Sequence, residues 1–391
     1  MKIPLSYSFR SLWTRKLTTF LTIAGVALVS FVFTAVLMLA NGVKNTMVAT
    51  GSADNAIVLR KSAESETLSI ITFDEADVIG TQPEIAIGND GKPLMTKEVL
   101  TLINLKKHGA QPNDLSNVTV RGVTPDGILL RPQVKLTSGR MFNFGSSELI
   151  VGNEIADRFD GMGIGNTIKF AGRTWKIVGH FDAGRSGFAS DIWGDANQIL
   201  QAFNRQAYSS IVMRLKSPKD FAALKARFEA DPRLNNLKIE PEKQFYAEQS
   251  QTLANFIRIL GIVITVIFSF GAMVGAMITM YAAVANRTVE IGTLRALGFH
   301  RRSVLGAFLI ESLFIALLGA GIGLLAASTL SLLTISTTDF ASFSEIAFGF
   351  TMTGPIIIST FLFAAVMGFI GGFLPSFRAA RLDIVNALRS A

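Results

Sequence analysis

The sequence contains no cysteine and only three histidines, His108, His180 and His300, which stand far apart. Zinc sites are built mainly from cysteine and histidine, so this composition argues against a zinc centre. The lack of cysteine excludes disulfides and suits an oxidising compartment, where free thiols would pair. We therefore expect no metal site in this chain.

The motifs that bind nucleotides are also missing. No G-x-x-x-x-G-K-[ST] segment occurs, so the chain has no P-loop with which to hold ATP and its Mg²⁺. The glycines of GMGIGN, residues 161–166, do not follow the dinucleotide-binding order and favour a turn between strands. We expect no cofactor in this chain, and any ATP-driven work must be done by a partner.

One short segment invites a hydrolase interpretation. His180, Asp182 and Ser186 in GHFDAGRSG are the three residue types of a nucleophilic triad. No G-x-S-x-G elbow surrounds the serine, and a triad is recognised by geometry that sequence proximity cannot show. A strand that ends in a glycine-rich loop explains the same composition.

Charged residues are scarce, at 17% of the chain, whereas 49% of the residues are hydrophobic. The charges are absent from three long windows, and a fourth is interrupted only by Glu311. Each window exceeds the roughly 20 apolar residues that cross a bilayer. The windows are 17–43, 259–286, 303–338 and 346–377. The pattern predicts a membrane protein with four transmembrane α-helices.

Basic residues flank these windows on one side. They precede the first helix, separate the second from the third and follow the fourth: Lys2, Arg10, Arg15, Lys16, Arg287, Arg295, Arg301, Arg302, Arg378, Arg381 and Arg389. Eleven bases less the acids Glu290 and Asp383 give +9 on this side, against +8 for the whole chain. The positive-inside rule therefore predicts a multi-pass inner-membrane protein with both termini in the cytoplasm. The basic charge reports topology, and nucleic acid need not be a partner.

Residues 44–258 separate the first two helices and are numerous enough to form a domain of their own. Strand-like runs include NAIVLR, VTVRGV, ELIVG, NTIKFAGRTWKIVGHF and SSIVMRL, with a hairpin turn at Ala171–Gly172. Helical runs include NEIADRF, ANQILQAFNR and SPKDFAALKARFEA, the last with Ser217 as N-cap. We predict a large extracytoplasmic α+β domain whose end continues as a helical stalk into the second membrane helix.

The predicted boundaries follow from these patterns. The segments are an interfacial amphipathic helix at 1–16, transmembrane helices at 17–43, 259–286, 303–335 and 348–375, the α+β domain at 44–258, a coupling helix and turn at 287–302, an outer loop at 336–347 and a cytoplasmic tail at 376–391. Leu5, Phe9, Leu12 and Trp13 lie at helical spacing and suggest contact with membrane lipid. A frayed basic tail is the alternative for residues 1–16.

A short basic segment, RTVEIGTLRALGFHRR at 287–302, joins the second and third membrane helices. Ile291 and Leu294 fall on one face of a predicted helix, and Gly298 is placed to cap its C-terminus. From periodicity alone, a solvated basic connector explains the segment equally well.

The order R-x-x-E-I-G-x-L-R-A-L-G at 287–298, with FLIESLFIALLGAGIG at 308–323, is more specific. It resembles the permeases MacB, FtsX and LolC/LolE, the mechanotransmission (type VII) class of ABC transporters. LPSFRAARLDIVNALR at 374–389 is similar to the closing signature of that family, and RSLWTRKLTTFLTIAGVAL at 10–28 to its opening one. VRGVTPDG, LTSGRMF and DGMGIGNTIKFAGRTWKIVGHF are similar to the outer domain of the MacB branch.

This resemblance implies a homodimeric, non-catalytic permease subunit without a fused ATPase. A cytoplasmic ABC ATPase dimer would bind ATP and Mg²⁺, and a periplasmic adaptor with an outer-membrane channel is a further expected partner. In the family, the segment matching 287–298 docks on the ATPase. The residues expected at this contact are Arg287, Glu290, Ile291, Gly292, Leu294, Arg295, Ala296, Leu297 and Gly298.

Inside the membrane helices, Glu311 is a functional candidate because an ionisable group there is costly unless it faces protein or water. A structural carboxyl is the alternative. Gly271 with Gly275, and Gly319 with Gly323, are small-xxx-small pairs that permit close helix packing. Drug, peptide, lipid and lipoprotein all remain possible cargo. An FtsX-like regulator that transports nothing is the runner-up, and a membrane-anchored sensor or an outer-surface hydrolase comes from another class.

Overall fold

The computed structural model describes residues 16–111, 114–339 and 342–384. The chain divides into two compact units. The membrane unit comprises Met1–Asn41, Asn255–Leu333 and Phe350–Ala391, and the inserted domain comprises Gly42–Ala254 and Thr334–Gly349. The predicted helix at 1–16 lies outside the described residues except for Lys16, and so does the end of the predicted tail.

Long helices lie near both ends of the described chain, and short strands and short helices lie between them. In chain order they are α1 (Lys16–Thr50), β1 (Asn55–Arg60), α2 (Phe73–Gly80), β2 (Met95–Lys106), β3 (Leu115–Val123), α3 (Pro125–Leu129), β4 (Lys135–Gly139), β5 (Glu148–Gly152), α4 (Asn153–Arg158), β6 (Thr167–Phe170), β7 (Arg173–Asp182), β8 (Asp191–Asp195), α5 (Ala196–Ala202), β9 (Ser210–Arg214), α6 (Phe221–Ala230), β10 (Leu237–Pro241), α7 (Glu242–Ala285), α8 (Thr288–Ala296), α9 (Arg301–Ser328), β11 (Thr334–Thr338), β12 (Glu345–Gly349) and α10 (Gly354–Ala380).

Four helices of the described residues are long and apolar enough to cross a membrane: α1, α7, α9 with the 3₁₀ turn after it, and α10. The predicted fold class, four membrane helices with a large α+β domain after the first, is confirmed. Gly42 does not interrupt α1, which continues to Thr50. The helix α7 runs without a break from Glu242 to Ala285, so the stalk and the second membrane helix are one element.

Two helix boundaries differ from the prediction. The helix α9 ends at Ser328 and a 3₁₀ turn follows to Leu332, because the next residues, TISTT, are β-branched or small and form the strand β11. The helix α10 begins at Gly354 rather than at 348. Pro355 in its first turn favours this start, because proline lacks an N–H that would be unpaired there.

The inserted domain is built on a ten-stranded sheet of described residues, with the order β10-β1-β9-β2-β3-β8-β5-β7-β4 and β6 paired with β7. Most pairs are antiparallel, whereas β3–β8 and β5–β7 are parallel. The hairpin predicted at Ala171–Gly172 is confirmed, and both residues have positive φ, 50° and 68°. This combination is the turn that fits a two-residue hairpin.

The predicted outer loop at 336–347 is largely a β-hairpin, β11–β12, that belongs to the inserted domain. Lys107 Nζ lies 2.7 Å from Glu345 Oε2, and the Ala347 backbone N–H donates to Ser190 Oγ at 3.0 Å. The segment predicted as an outer loop therefore contains most of two paired strands. Apolar alternation in EIAFG was the signal for β12.

Candidate functional site

The helix α8 lies in the membrane unit between α7 and α9. It ends in a Schellman motif, in which the Phe299 N–H donates to Leu294 O at 3.2 Å and the Gly298 N–H donates to Arg295 O at 3.2 Å. Gly298 has φ 94°, a conformation that side chains with a Cβ disfavour. The predicted helix and its glycine cap are thus present.

One face of α8 is buried and the other is open. Ile291, only 1% exposed, packs with Val304 and Phe308 of α9, and Gly292 is also buried. Leu297 is 68% exposed, and Val289 is exposed as well. The open face also carries Glu290, Thr293 and Ala296, followed by Gly298, whereas Leu294 and Arg295 are half-buried.

Arg295 fixes α8 to the end of α10. Its Nη1 donates to the backbone oxygen of Ala380 at 2.8 Å. A carbonyl at a helix end has no partner within the helix, so this bond satisfies an otherwise orphan acceptor. Arg295 and Ile291 therefore hold α8 in the membrane unit. The open side of α8 carries Val289, Glu290 and Leu297.

Arg287 links α8 to the intramembrane carboxylate. Its Nε donates to Glu290 Oε2 at 3.0 Å and its Nη1 to Glu311 Oε2 at 3.4 Å. Arg287 and Glu311 are both buried, and the guanidinium lies 5.3 Å from the centre of the Phe308 ring. A buried carboxylate paired with arginine behaves as a structural group, because removal of either partner leaves an uncompensated charge.

We therefore predict that Glu311→Gln retains the thermal stability of the wild type, because the amide oxygen still accepts from Arg287. Glu311→Leu should lower the free energy of unfolding by about 3 kcal/mol, since it leaves Arg287 buried with one partner fewer. Thermal unfolding in detergent measures both effects. Equal melting temperatures of the wild type and Glu311→Leu would contradict this role of the pair.

The two glycine pairs differ in their surroundings. A Cβ on Gly319 would lie 2.9 Å from Val26 Cβ, and one on Gly323 would lie 2.6 Å from the backbone oxygen of Ala27. These glycines therefore let α9 approach α1 closely. A Cβ on Gly271 or Gly275 of α7 would meet no atom within 4 Å among the described residues.

The residues of the hydrolase alternative bind the backbone instead of one another. His180 Nε2 lies 2.8 Å from Met162 O, and the Ser186 hydroxyl donates to Ala183 O at 2.7 Å. Asp182 accepts from the Gly184 N–H at 2.9 Å. The sequence segment therefore forms a turn, and the geometry gives the triad interpretation no support. No group of three or more metal-ligating side chains occurs among the described residues.

The inserted domain contains a buried network that the sequence patterns did not indicate. Its hydrogen bonds and ion pairs lead from the first residue of α7 through the sheet and back to α7 one helical turn later. We call it the charge ring, and its members are Glu242, Arg131, Glu98, Arg121, Glu66 and Tyr246.

Arg131 forms the first half of the charge ring. Its Nη1 is paired with Glu242 Oε1 and its Nη2 donates to Glu98 Oε1 at 2.8 Å. Its guanidinium lies 4.5 Å from the centre of the Phe188 ring, where the π-face favours a cation. All three ionised groups are fully buried.

Arg121 forms the second half. Its Nη1 donates to Glu98 Oε2 at 2.6 Å and to Glu66 Oε1 at 3.0 Å, and its Nη2 to Glu66 Oε2 at 3.2 Å. The Tyr246 hydroxyl donates to Glu66 Oε2 at 3.0 Å and closes the ring. Outside the ring, Asp191 accepts from Arg121 Nε at 2.9 Å.

Four carboxyls surround two guanidiniums here, so the carboxyls cannot all be equally well compensated. Burial raises the pKa of Glu66, but the charge and hydrogen bonds of Arg121 outweigh it and leave the pKa below its usual value. Burial raises the pKa of Asp191 to about 6, because the nearby charge of Arg121 is offset by Glu66 and Glu98.

We predict that Asp191 makes the protein less stable as pH rises from 5 to 7.5. The folded pKa of about 6 lies above the usual value for an aspartate, so the protonated carboxyl contributes stability that is complete below pH 4 and is lost as pH rises to 6 and above. Between pH 5 and 7.5 the loss amounts to about 1.4 kcal/mol, one pKa unit. Melting temperatures of the wild type and Asp191→Asn at both pH values test this, and an equal difference between the proteins at pH 5 and 7.5 would contradict it.

Comparison with known proteins agrees with this architecture. Residues 19–231 match the model of the MacB-like periplasmic core domain, and residues 262–384 match the FtsX-like permease C-terminal model. The chain belongs to the MacB-like and FtsX-like family of ABC transporter permeases.

Relatives of this permease include proteins of similar length. It is 27% identical to the uncharacterized ABC transporter permease YvrN of Bacillus subtilis, over 98% of each chain. It is 24% identical to YknZ of the same organism, over 86% of this chain and 83% of the relative. The macrolide export ATP-binding/permease protein MacB of Pectobacterium atrosepticum is 24% identical over 96% of this chain but only 58% of its own length.

The charge ring of the permease escaped prediction because its six members come from five separate places in the sequence. A weak signal existed in two strands. Glu98 lies between the buried Thr96 and Leu100 of β2, and Arg121 lies within the buried run of β3. A charge at an inward strand position needs a partner, but the sequence does not say which one.

Proposed function

We propose that this permease couples ATP hydrolysis by a separate cytoplasmic ATPase to movements of its inserted domain, on the outer side of the inner membrane. The observation that supports this most directly is the open face of α8, with Val289, Glu290 and Leu297 exposed beside a buried anchoring face. An anchored helix with an exposed apolar and charged face is suited to dock on another protein. ATP and Mg²⁺ would be bound by that protein.

The continuous helix α7 supports the transmission step. It has residues in both units, from Glu242 in the inserted domain to Ala285 in the membrane unit. A helix without Gly or Pro between 242 and 260 carries a tilt or shift, whereas a flexible linker would dissipate it. In this proposal the segment boundaries are those predicted from the sequence, and the stalk comprises residues 242–254.

The working form that we propose contains two copies of the chain. Gly271 and Gly275 support this, since they leave an open surface on α7 where a second helix could approach closely. The basic residues that flank the membrane helices support cytoplasmic termini in this proposal.

The cargo is handled by the inserted domain in this proposal, and relatives named for macrolide export favour an amphipathic drug or peptide over other classes. A periplasmic adaptor and an outer-membrane channel complete the pathway. The alternative, a non-transporting regulator of an extracytoplasmic partner, shares the same coupling helix and stalk.

Affinity purification from native membranes tests the proposal. We expect an ABC ATPase to copurify with the permease and its hydrolysis rate to change on reconstitution with the chain. Recovery of the chain with a signalling kinase and without any ATPase would refute the proposed function. Copurification of a cell-wall hydrolase in place of an adaptor would favour the regulator.

A further inference from the structure

The first turn of α7 is held to the sheet by more than apolar packing. Glu242 is the first residue of the helix and is fully buried. Its Oε2 accepts from the Ser52 N–H at 2.8 Å and from Asn55 Nδ2 at 2.9 Å, and its Oε1 pairs with Arg131. One carboxylate therefore joins α7, the residues that follow α1 and the strand β1.

Tyr246 lies one helical turn beyond Glu242, and its hydroxyl donates to Glu66 of the charge ring. Between these two residues, the ring passes through Glu98 on β2 and Arg121 on β3, in the middle of the sheet. Two attachment points one turn apart fix both the direction of a helix and its rotation about its own axis. A single contact would leave the rotation free.

Burial of so many charges is poorly explained by stability. Desolvation offsets most of the gain from a buried ion pair, and apolar replacements are often neutral or stabilising. Hydrogen-bonded charges do, however, accept only a narrow range of distances and angles, so they define one arrangement against its alternatives.

We propose that the charge ring is a joint that fixes the orientation of α7 on the sheet, with Glu242, Arg131 and Tyr246 as positioning residues for force transmission. This role rests on the proposed function only in its last step, the transmission of movement. The fixed orientation itself is a property of the isolated chain and does not need the ATPase.

The test measures, in the purified full chain, a distance that changes when α7 tilts or rotates on the sheet. Spin labels at Gln251→Cys on α7 and Thr167→Cys on β6 report their separation, and the chain has no other cysteine. Both residues are exposed and lie in the inserted domain. We expect a single narrow distance distribution in the otherwise unchanged chain, and loss of that narrow peak in Arg131→Met/Glu242→Gln.

Tyr246→Phe keeps the aromatic packing and opens the ring at one bond, so it decides the question if the double variant does not fold. A matched control is Arg60→Met/Glu75→Gln, which removes a 3.0 Å ion pair between β1 and α2 outside the ring. We expect broadening in Tyr246→Phe and none in the control. Unchanged narrow peaks in the folded ring variants, or equal broadening in the control, would contradict the proposal that the charge ring fixes the orientation of α7.

The ATP-driven readout separates this inference from the proposed function. With the ATPase bound, we expect the nucleotide-dependent shift of the stalk to be lost in the ring variants. A missing shift in the wild type would refute the proposed function alone. A full shift in variants with a broadened peak would refute the positioning role.

Discussion

Insertion of several Gly-Ser residues after Ser250 is expected to abolish the ATP-driven movement of the inserted domain. The insertion breaks α7 between its anchored first turn and its membrane-spanning part, and a Gly-Ser segment behaves as a random coil. Membrane insertion, the fold of the domain and ATPase binding should remain, because none depends on the continuity of this turn. Spin-label distances with and without nucleotide provide the measurement.

Two controls separate stiffness from damage. The same insertion after Gly172 extends the exposed β6–β7 hairpin and should leave the movement intact. Without any change in length, Gln251→Gly/Thr252→Gly should weaken the movement and Gln251→Ala/Thr252→Ala should not. Both residues are exposed, and each glycine destabilises the helix by about 1 kcal/mol relative to alanine. Wild-type movement after the Ser250 insertion would mean that α7 does not transmit force.

Leu297→Asp and Glu290→Lys are expected to uncouple the ATPase from the permease. Leu297 is exposed at the end of α8, so Leu297→Asp should not disturb the buried side of the helix. Glu290 is exposed but accepts from the buried Arg287, so thermal stability must show that Glu290→Lys remains folded. Loss of an apolar anchor from an interface weakens binding by about 2 kcal/mol. ATPase stimulation by purified variants, together with their thermal stability, measures the effect.

Leu129→Asp is the matched control, because Leu129 is also strongly exposed but lies in the inserted domain. It should stimulate the ATPase as the wild type does. Ile291→Asp would be uninformative, since Ile291 is buried and the change would unfold α8. Normal stimulation by both Leu297→Asp and Glu290→Lys would exclude this face as the docking surface.

The long membrane helices were predictable because their signal is local. An uncharged, apolar window of more than 20 residues indicates a helix that crosses a membrane. The run from Glu242 onward lacks the residues that end helices. Strands such as β1 and β5 were equally clear from β-branched, apolar runs. The strands β8 and β10, DIWGD and LKIEP, carry acids and were missed because their pairing partners determine them.

The sequence alone could not show which side of α8 packs against the rest of the membrane unit. Ile291 and Leu294 both look like docking residues in the sequence, yet Ile291 packs on α9 whereas Leu297 is exposed. A periodic pattern marks an apolar face but does not name the surface that covers it. The charge ring was out of reach for the same reason, since contacts such as Glu66–Tyr246 join residues far apart in the chain.

The most direct test of the coupling account is the distance between spin labels at Gln251→Cys on the α7 stalks of the two copies in the complex with the ATPase. The measurement compares the nucleotide-free complex with the complex trapped by ATP and vanadate. We expect a shift of the whole distance distribution between the two states. Superimposable distributions, in a complex that hydrolyses ATP, would contradict it.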